Sequence, residues 1–212
     1  MQTQEALLGF KKMDYTLEDF TKYKQYLNTV QQVLDGYFEE QKEYLCCKEG
    51  CSHCCERGAY PYSDLEFKFL LLGFFRIPMK EQQEVIKRIK ALKEEYEKLE
   101  NKENFMYRCP FLSEDKKCTV YDYRGLICRT FGLITEKENG KLILPFCHSL
   151  GLNYSKVYNP ETKKIDYDAV EKLGYKNWPK ARKTNIKTLM SEKMFECEPL
   201  QFGEIKSMVD WL

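Results

Sequence analysis

Ten cysteines occur in the 212 residues, and eight of them fall into two groups whose spacing suits metal binding. The first, Cys47-x3-Cys51-x2-Cys54-Cys55, places four thiols within nine residues. Thiolates so close in sequence can converge on one centre, because the loop between them is too short to carry them apart. The second, Cys109-x8-Cys118-x9-Cys128 with Cys147 further on, supplies four more. Four thiolates close a tetrahedral zinc site, and four thiolates also hold an iron–sulfur cluster, so ligand softness suits both. Eight would fill two such sites, while a single site would leave about half of them as packing or supporting thiols.

Cys54 and Cys55 are adjacent, and neighbouring side chains point in different directions in helix or strand. Either they serve different centres or only one of them is a ligand. Cys46 and Cys197 lie outside the pattern and read as packing or incidental thiols. Thiolate-rich centres carry negative charge that nearby cations offset. Arg124 and Arg129 flank Cys128 closely and are the residues expected in that role, with Arg108 beside Cys109. His53 and His148 adjoin ligand candidates and read as hydrogen-bond donors around a centre rather than as ligands. Tyr121 and Tyr123 read as core or capping residues.

The elements that must position these thiols are helical. A first helix is expected from Leu17 to about Tyr44, opened by a Thr16/Asp19 capping box, with Phe20, Leu27, Val30 and Leu34 at helical spacing. Ser63 and Glu66 form a second capping box. They start a helix that carries the FKFLLLGFF run, reads as the central core helix and stops before Pro78. A third runs from Pro78 to about Asn101, with Val85, Ile89 and Leu92 on one face and a charged stripe on the other. A hairpin is expected between Leu133–Thr135 and Lys141–Leu144, turning at Glu138-Asn139-Gly140, and a smaller one across Asn159-Pro160. A short helix from Asp168 and a last one over Phe202–Leu212 complete a mainly α fold with small β-hairpins, read as one domain over 1–212 with its cysteine-cluster region at about 46–151.

Hydrophobic residues make up 43% of the chain and charged residues 32%, the pattern of a globular chain rather than a disordered one. The formal charge of +1 argues against a nucleic-acid binder that relies on a broad basic face. The N-terminal residues have no signal-peptide pattern, and the longest apolar run, Phe67 to Phe75, is far short of the about 20 residues that span a bilayer. A cytoplasmic location is therefore expected, where cysteines serve as metal ligands or redox thiols rather than disulfides.

The ordered motifs Cys47-x3-Cys51-x2-Cys54-Cys55, Cys109-Pro110-Phe111-Leu112, Cys118-Thr119-Val120-Tyr121, Tyr123-Arg124, Cys128-Arg129-Thr130-Phe131-Gly132 and Cys147 with Ser149-Leu150-Gly151 resemble the bacterial YkgJ-type cysteine-cluster family of zinc- or iron-chelating domains. The resemblance covers about half the chain. It departs at one place: Arg124-Gly125 stands where the family usually has Arg-Pro, which frees the backbone there. The family includes flagellin lysine N-methylase, associated with an iron–sulfur cluster and S-adenosylmethionine. The resemblance therefore implies, as an alternative, methylation of a lysine on a protein substrate. No Gly-rich turn of the kind a Rossmann-like methyl-donor site uses occurs between a strand and a helix. Cys-x3-Cys-x2-Cys is also the radical-SAM spacing, but those enzymes set it in a β/α barrel, and this chain has no alternating βαβ pattern. The preferred expectation is a [4Fe-4S] protein, with structural zinc as the other alternative. The sequence does not assign catalytic residues or an oligomeric state.

Overall fold

The computed structural model describes residues 15–48, 50–103, 105–137, 139–191 and 199–212. Helix α1 (Leu17–Glu40) opens on the expected box: the Asp19 amide donates to Thr16 Oγ1 (3.2 Å) and the Thr16 amide to Asp19 Oδ2 (2.7 Å). It ends sooner than its apolar periodicity suggests. At Gln41 the backbone leaves the α region and tightens into a 3-10 turn over Lys42–Tyr44. Gln41 is tied elsewhere, since its side chain accepts from the Lys180 amide (3.0 Å) and donates to the Trp178 carbonyl (3.4 Å).

A single turn, α2 (His53–Glu56), carries Cys54 and Cys55. Strand β1 (Pro61–Ser63) leads directly into α3 (Asp64–Phe74), the helix of the apolar run. Helix α3 is the central core element because eight of its 11 residues are buried, with apolar side chains facing both neighbouring clusters. Leu65 and Phe69 pack toward α1, whereas Phe67, Leu70, Leu71 and Phe74 belong to a second cluster with Val85, Ile89 and Leu92 of α4 (Met79–Glu97). Helix α5 (Leu126–Thr130) follows a 3-10 turn at Tyr121–Tyr123. The β2–β3 hairpin (Thr135–Glu136, Leu142–Ile143) and the β4–β5 hairpin (Tyr158–Asn159, Lys164–Ile165) both form, but shorter and shifted: β2 keeps only Thr135 of the expected strand, and Asn159, expected in the turn, pairs with Lys164. Glu138 of the first turn lies outside the described residues. Helix α6 (Tyr167–Lys172) is capped by Asp166, and α7 (Ile186–Leu189) by Asn185.

The C-terminus corrects the sequence reading. The expected helix over Phe202–Leu212 is only α8 (Met208–Trp211), because Ile205–Ser207 form β6, antiparallel to β1 with Pro61 opposite Ser207. Gly203, at φ +72°, breaks any continuous helix before it. This segment clamps β1 from below: the Met208 amide donates to the Tyr60 carbonyl (2.7 Å) and Trp211 Nε1 to the Tyr62 carbonyl (2.9 Å). Among the described residues the architecture is mainly α with three small antiparallel strand pairs. No helix among the described residues is long and apolar enough to cross a membrane.

Candidate metal centre

Cys55, Cys109, Cys118 and Cys128 all pack against the core cluster shared by α3 and α4. Their segments are tied by backbone. The Cys109 amide donates to the Cys55 carbonyl (2.8 Å), and Leu112 bridges Cys118 across the 113–117 turn. Tyr60 fixes the other side, its hydroxyl within 2.9 and 3.0 Å of the Cys54 and Cys55 carbonyls.

Cys128 is placed from α3 and β1. Buried Glu66, besides capping α3, accepts from the Leu126 amide at 2.7 Å and so holds the first turn of α5. Tyr62 accepts from the Gly125 amide at 3.0 Å, and its hydroxyl lies 3.4 Å from Cys128 Sγ. A phenol has one proton; with the Gly125 N–H on an oxygen lone pair, that proton is available to the sulfur. This also accounts for Arg124-Gly125 in place of Arg-Pro. Proline would remove the N–H that Tyr62 accepts, and even a Cβ here would stand 2.7 Å from the Tyr62 ring.

Burial, reinforced by neighbouring thiols, pushes the Cys55 thiol up to about 11 and the Cys128 thiol up to about 12. Cys109 is raised well above 9.0 and Cys118 is raised, burial again being the main cause. All four lie near enough to act on one another, and the Arg124 charge opposes the rise at Cys55, Cys118 and Cys128. Arg124 stacks on Tyr121, 3.7 Å from the ring centroid, and its buried Nε has no hydrogen-bond partner among the described residues. An orphaned guanidinium N–H beside three of these thiols fits an anionic centre at this place. Arg129 is one step further out: it donates to Gln31 Oε1 (2.9 Å) and to the Arg124 carbonyl (3.3 Å), bracing the loop against α1.

Cys47, Cys51, Cys54 and Cys147 gather on the other side of α2. The Cys54 and Cys147 thiols face one another closely enough to act on each other, and that contact together with burial raises Cys54. Cys47 interacts with Cys51, Cys54 and Cys147. The residue as a whole is exposed, but its sulfur lies against Asn153, where partial loss of water raises the thiol and the Asn153 hydrogen bond opposes the rise. Asn153 holds three groups at once: its Oδ1 accepts from the Cys46 amide (2.7 Å), and its Nδ2 lies 3.2 Å from Cys47 Sγ and 3.0 Å from the Gly132 carbonyl. The next residue, Tyr154, is left-handed at φ +55°, a conformation that costs a side-chain-bearing residue about 1–2 kcal/mol; the Tyr44 carbonyl accepts its amide at 3.1 Å. Gly132, at φ +106°, leaves room for Cys47, whose Sγ would stand 2.7 Å from a Cβ there.

The structure therefore brings all eight candidate cysteines to the two sides of α2. Among the described residues no three His, Cys, Asp or Glu are drawn in to the distance of one shared ion, so binding would include a closing of the thiols. Cys46 is exposed, and Cys197 lies outside the described residues. His148 sets its ring edge against Tyr158, with centroids 5.0 Å apart. Sequence reasoning missed Tyr62 and Asn153, whose roles depend on contacts across 66 and 106 residues. It read Glu66 only as a cap.

Residues 46–148, a little under half of the chain, match the family model CxxCxxCC, described as "Putative zinc- or iron-chelating domain". The description gives the chain a metal-binding role and names zinc or iron without deciding between them. The chain is also similar to the uncharacterized protein MJ0661 of Methanocaldococcus jannaschii, 31% identical over 122 residues, which are 54% of this chain and 62% of that protein. The match thus spans about three fifths of that relative's length. No solved structure matches.

Proposed function

We propose that this is an iron–sulfur protein whose thiolates hold a [4Fe-4S]-type centre. The observation that carries the reading is an all-thiol donor set with hydrogen-bond donors aimed at its sulfurs, Tyr62 at Cys128 and Asn153 at Cys47. Hydrogen bonds to the sulfurs, burial and local charge are what set the potential of such a cluster. A bound cluster would supply electron-transfer or Lewis-acid chemistry. The chain's own residues would hold it, keep water from its inner face through Phe111, Leu112 and Val120, and offset its charge with Arg124.

The test is anaerobic purification followed by metal and sulfide analysis. Brown protein with broad visible absorption and matching iron and acid-labile sulfide is expected. Colourless protein with stoichiometric zinc would end the iron–sulfur reading and make the site a structural clasp.

A further inference from the structure

We infer that the eight cysteines form two separate four-thiolate centres, divided at the Cys54–Cys55 peptide bond: a buried centre, packed on the main core, from Cys55, Cys109, Cys118 and Cys128, and an outer one from Cys47, Cys51, Cys54 and Cys147, of which only Cys147 is itself buried. This rests on the metal-binding role and not on which metal fills it.

Three independent features divide the thiols at the same place. The first is packing. Cys55, Cys109, Cys118 and Cys128 join the main core cluster, and the other four do not. Cys47 instead lies beside Asn153, next to Tyr154 of a smaller cluster with Tyr44 and Ile134. The second is helix geometry. Residues one apart in a helix point about 100° apart, since 3.6 residues make a turn. In α2 this sends Cys54 to Cys147 and Cys55 to Cys109, Cys118 and Cys128. The third is support. Each set has its own donor to sulfur, Tyr62 from β1 for one and Asn153 for the other, held by different parts of the chain. Cys51 is near both Cys47 and Cys55. It falls to the outer centre because it is exposed and the buried set is already complete with four.

The two centres are unequal. One is fastened into the core beside the Arg124 guanidinium, whereas two of the outer thiols, Cys47 and Cys51, are exposed. The outer centre therefore exchanges first.

Full-length wild type, Cys54→Ser and Cys55→Ser, prepared anaerobically, would be compared by native mass spectrometry and total metal analysis. Wild type is expected to carry two centres, and each variant half as much metal. One centre in wild type, or loss of all metal from either single substitution, overturns the inference. If Cys55→Ser does not fold, wild type alone decides through stepwise chelation with alkylation of the freed thiols. Metal should leave in two phases, with Cys47, Cys51, Cys54 and Cys147 labelled in the first. Labelling drawn from both sets in one phase overturns it. Two zinc centres would end the iron–sulfur reading and leave the division standing, whereas a single iron–sulfur centre would do the reverse.

Discussion

The two faces of α2 each gather four thiols, in different settings. On one face Cys109 and its companions sit in the main core, and their pKa values are raised chiefly by the loss of water. On the other, Cys47 and Cys51 are exposed, while Cys147 is buried and lies close to the Cys54 thiol. A metal in the first place is part of the fold, while a metal in the second is carried by it. The distinction resembles that between closed structural sites and accessible reactive ones.

The largest expected contrast follows from removing thiols in pairs. Cys109→Ala with Cys118→Ala takes ligands from the core and should cost several kcal/mol, because metal binding and folding free energy are the same quantity at such a site. In a chain of this size each kcal/mol is worth about 2–4 °C of Tm, so a fall of about 10 °C or more is expected. Cys47→Ala with Cys51→Ala should lower metal content while moving Tm much less. Equal Tm losses, read by calorimetry on anaerobic samples, would erase the contrast.

Next in size is the response of the metal-free protein to alkali. The folded state raises Cys55 to about 11 and Cys128 to about 12 from 9.0, so it favours their neutral thiols. The stability this supplies is fully present below about pH 9 and lost as pH rises through 11 to 12. Denaturant midpoints of the metal-free chain should therefore fall across that window. Loaded protein, whose thiolates are already deprotonated on the metal, should lack this fall. A flat profile in the metal-free chain would mean that these thiols are not desolvated.

Two single substitutions then probe one face each. Tyr62→Phe removes the hydroxyl that accepts the Gly125 N–H and faces Cys128, leaving a buried donor unpaired at a cost of about 1–3 kcal/mol. Gly132→Ala forces an L side chain to φ +106° and 2.7 Å from Cys47 Sγ, at a comparable cost of about 1–3 kcal/mol. Tyr62→Phe should speed metal loss from the buried thiols alone, and Gly132→Ala from the outer ones alone, as read by chelator kinetics with thiol mapping. If both accelerate the same phase, the faces are coupled.

How much of this was legible beforehand depends on distance along the chain. Both capping boxes, the largely apolar α3 and the two hairpins are local patterns; the boxes and α3 form where the residues place them, and the hairpins form close by, shifted by a residue or two. The cysteine spacing likewise announced two groups of thiols. It did not announce the regrouping, in which Cys147 joins the first group and Cys55 joins the second. That depends on which way one turn of helix faces. The missed parts are long-range: β6 against β1, Tyr62 against Cys128 and Asn153 against Cys47 are pairings that no local period encodes. Arg124-Gly125 looked like a loss of rigidity at Arg124. The folded chain shows Tyr62 occupying the space and accepting the amide that proline would deny.

The smallest expected effect tests whether the buried face depends on packing or on surface charge. Lys116 Nζ lies 3.1 Å from Glu56 Oε1 and links the turn before Cys118 to the residue after Cys55. Both side chains are well exposed, at 62% and 38%, so water and salt screen the pair and it should contribute only about 0.2–1 kcal/mol. Lys116→Ala should therefore shift Tm by about 4 °C at most and leave the chelation rate of the buried thiols unchanged, in low or high salt. The tie that matters between these segments is the Cys109 amide on the Cys55 carbonyl, with Tyr60 behind it. A large, salt-sensitive loss in Lys116→Ala would place the fastening at the surface instead, and the buried face would then be no more secure than the outer one.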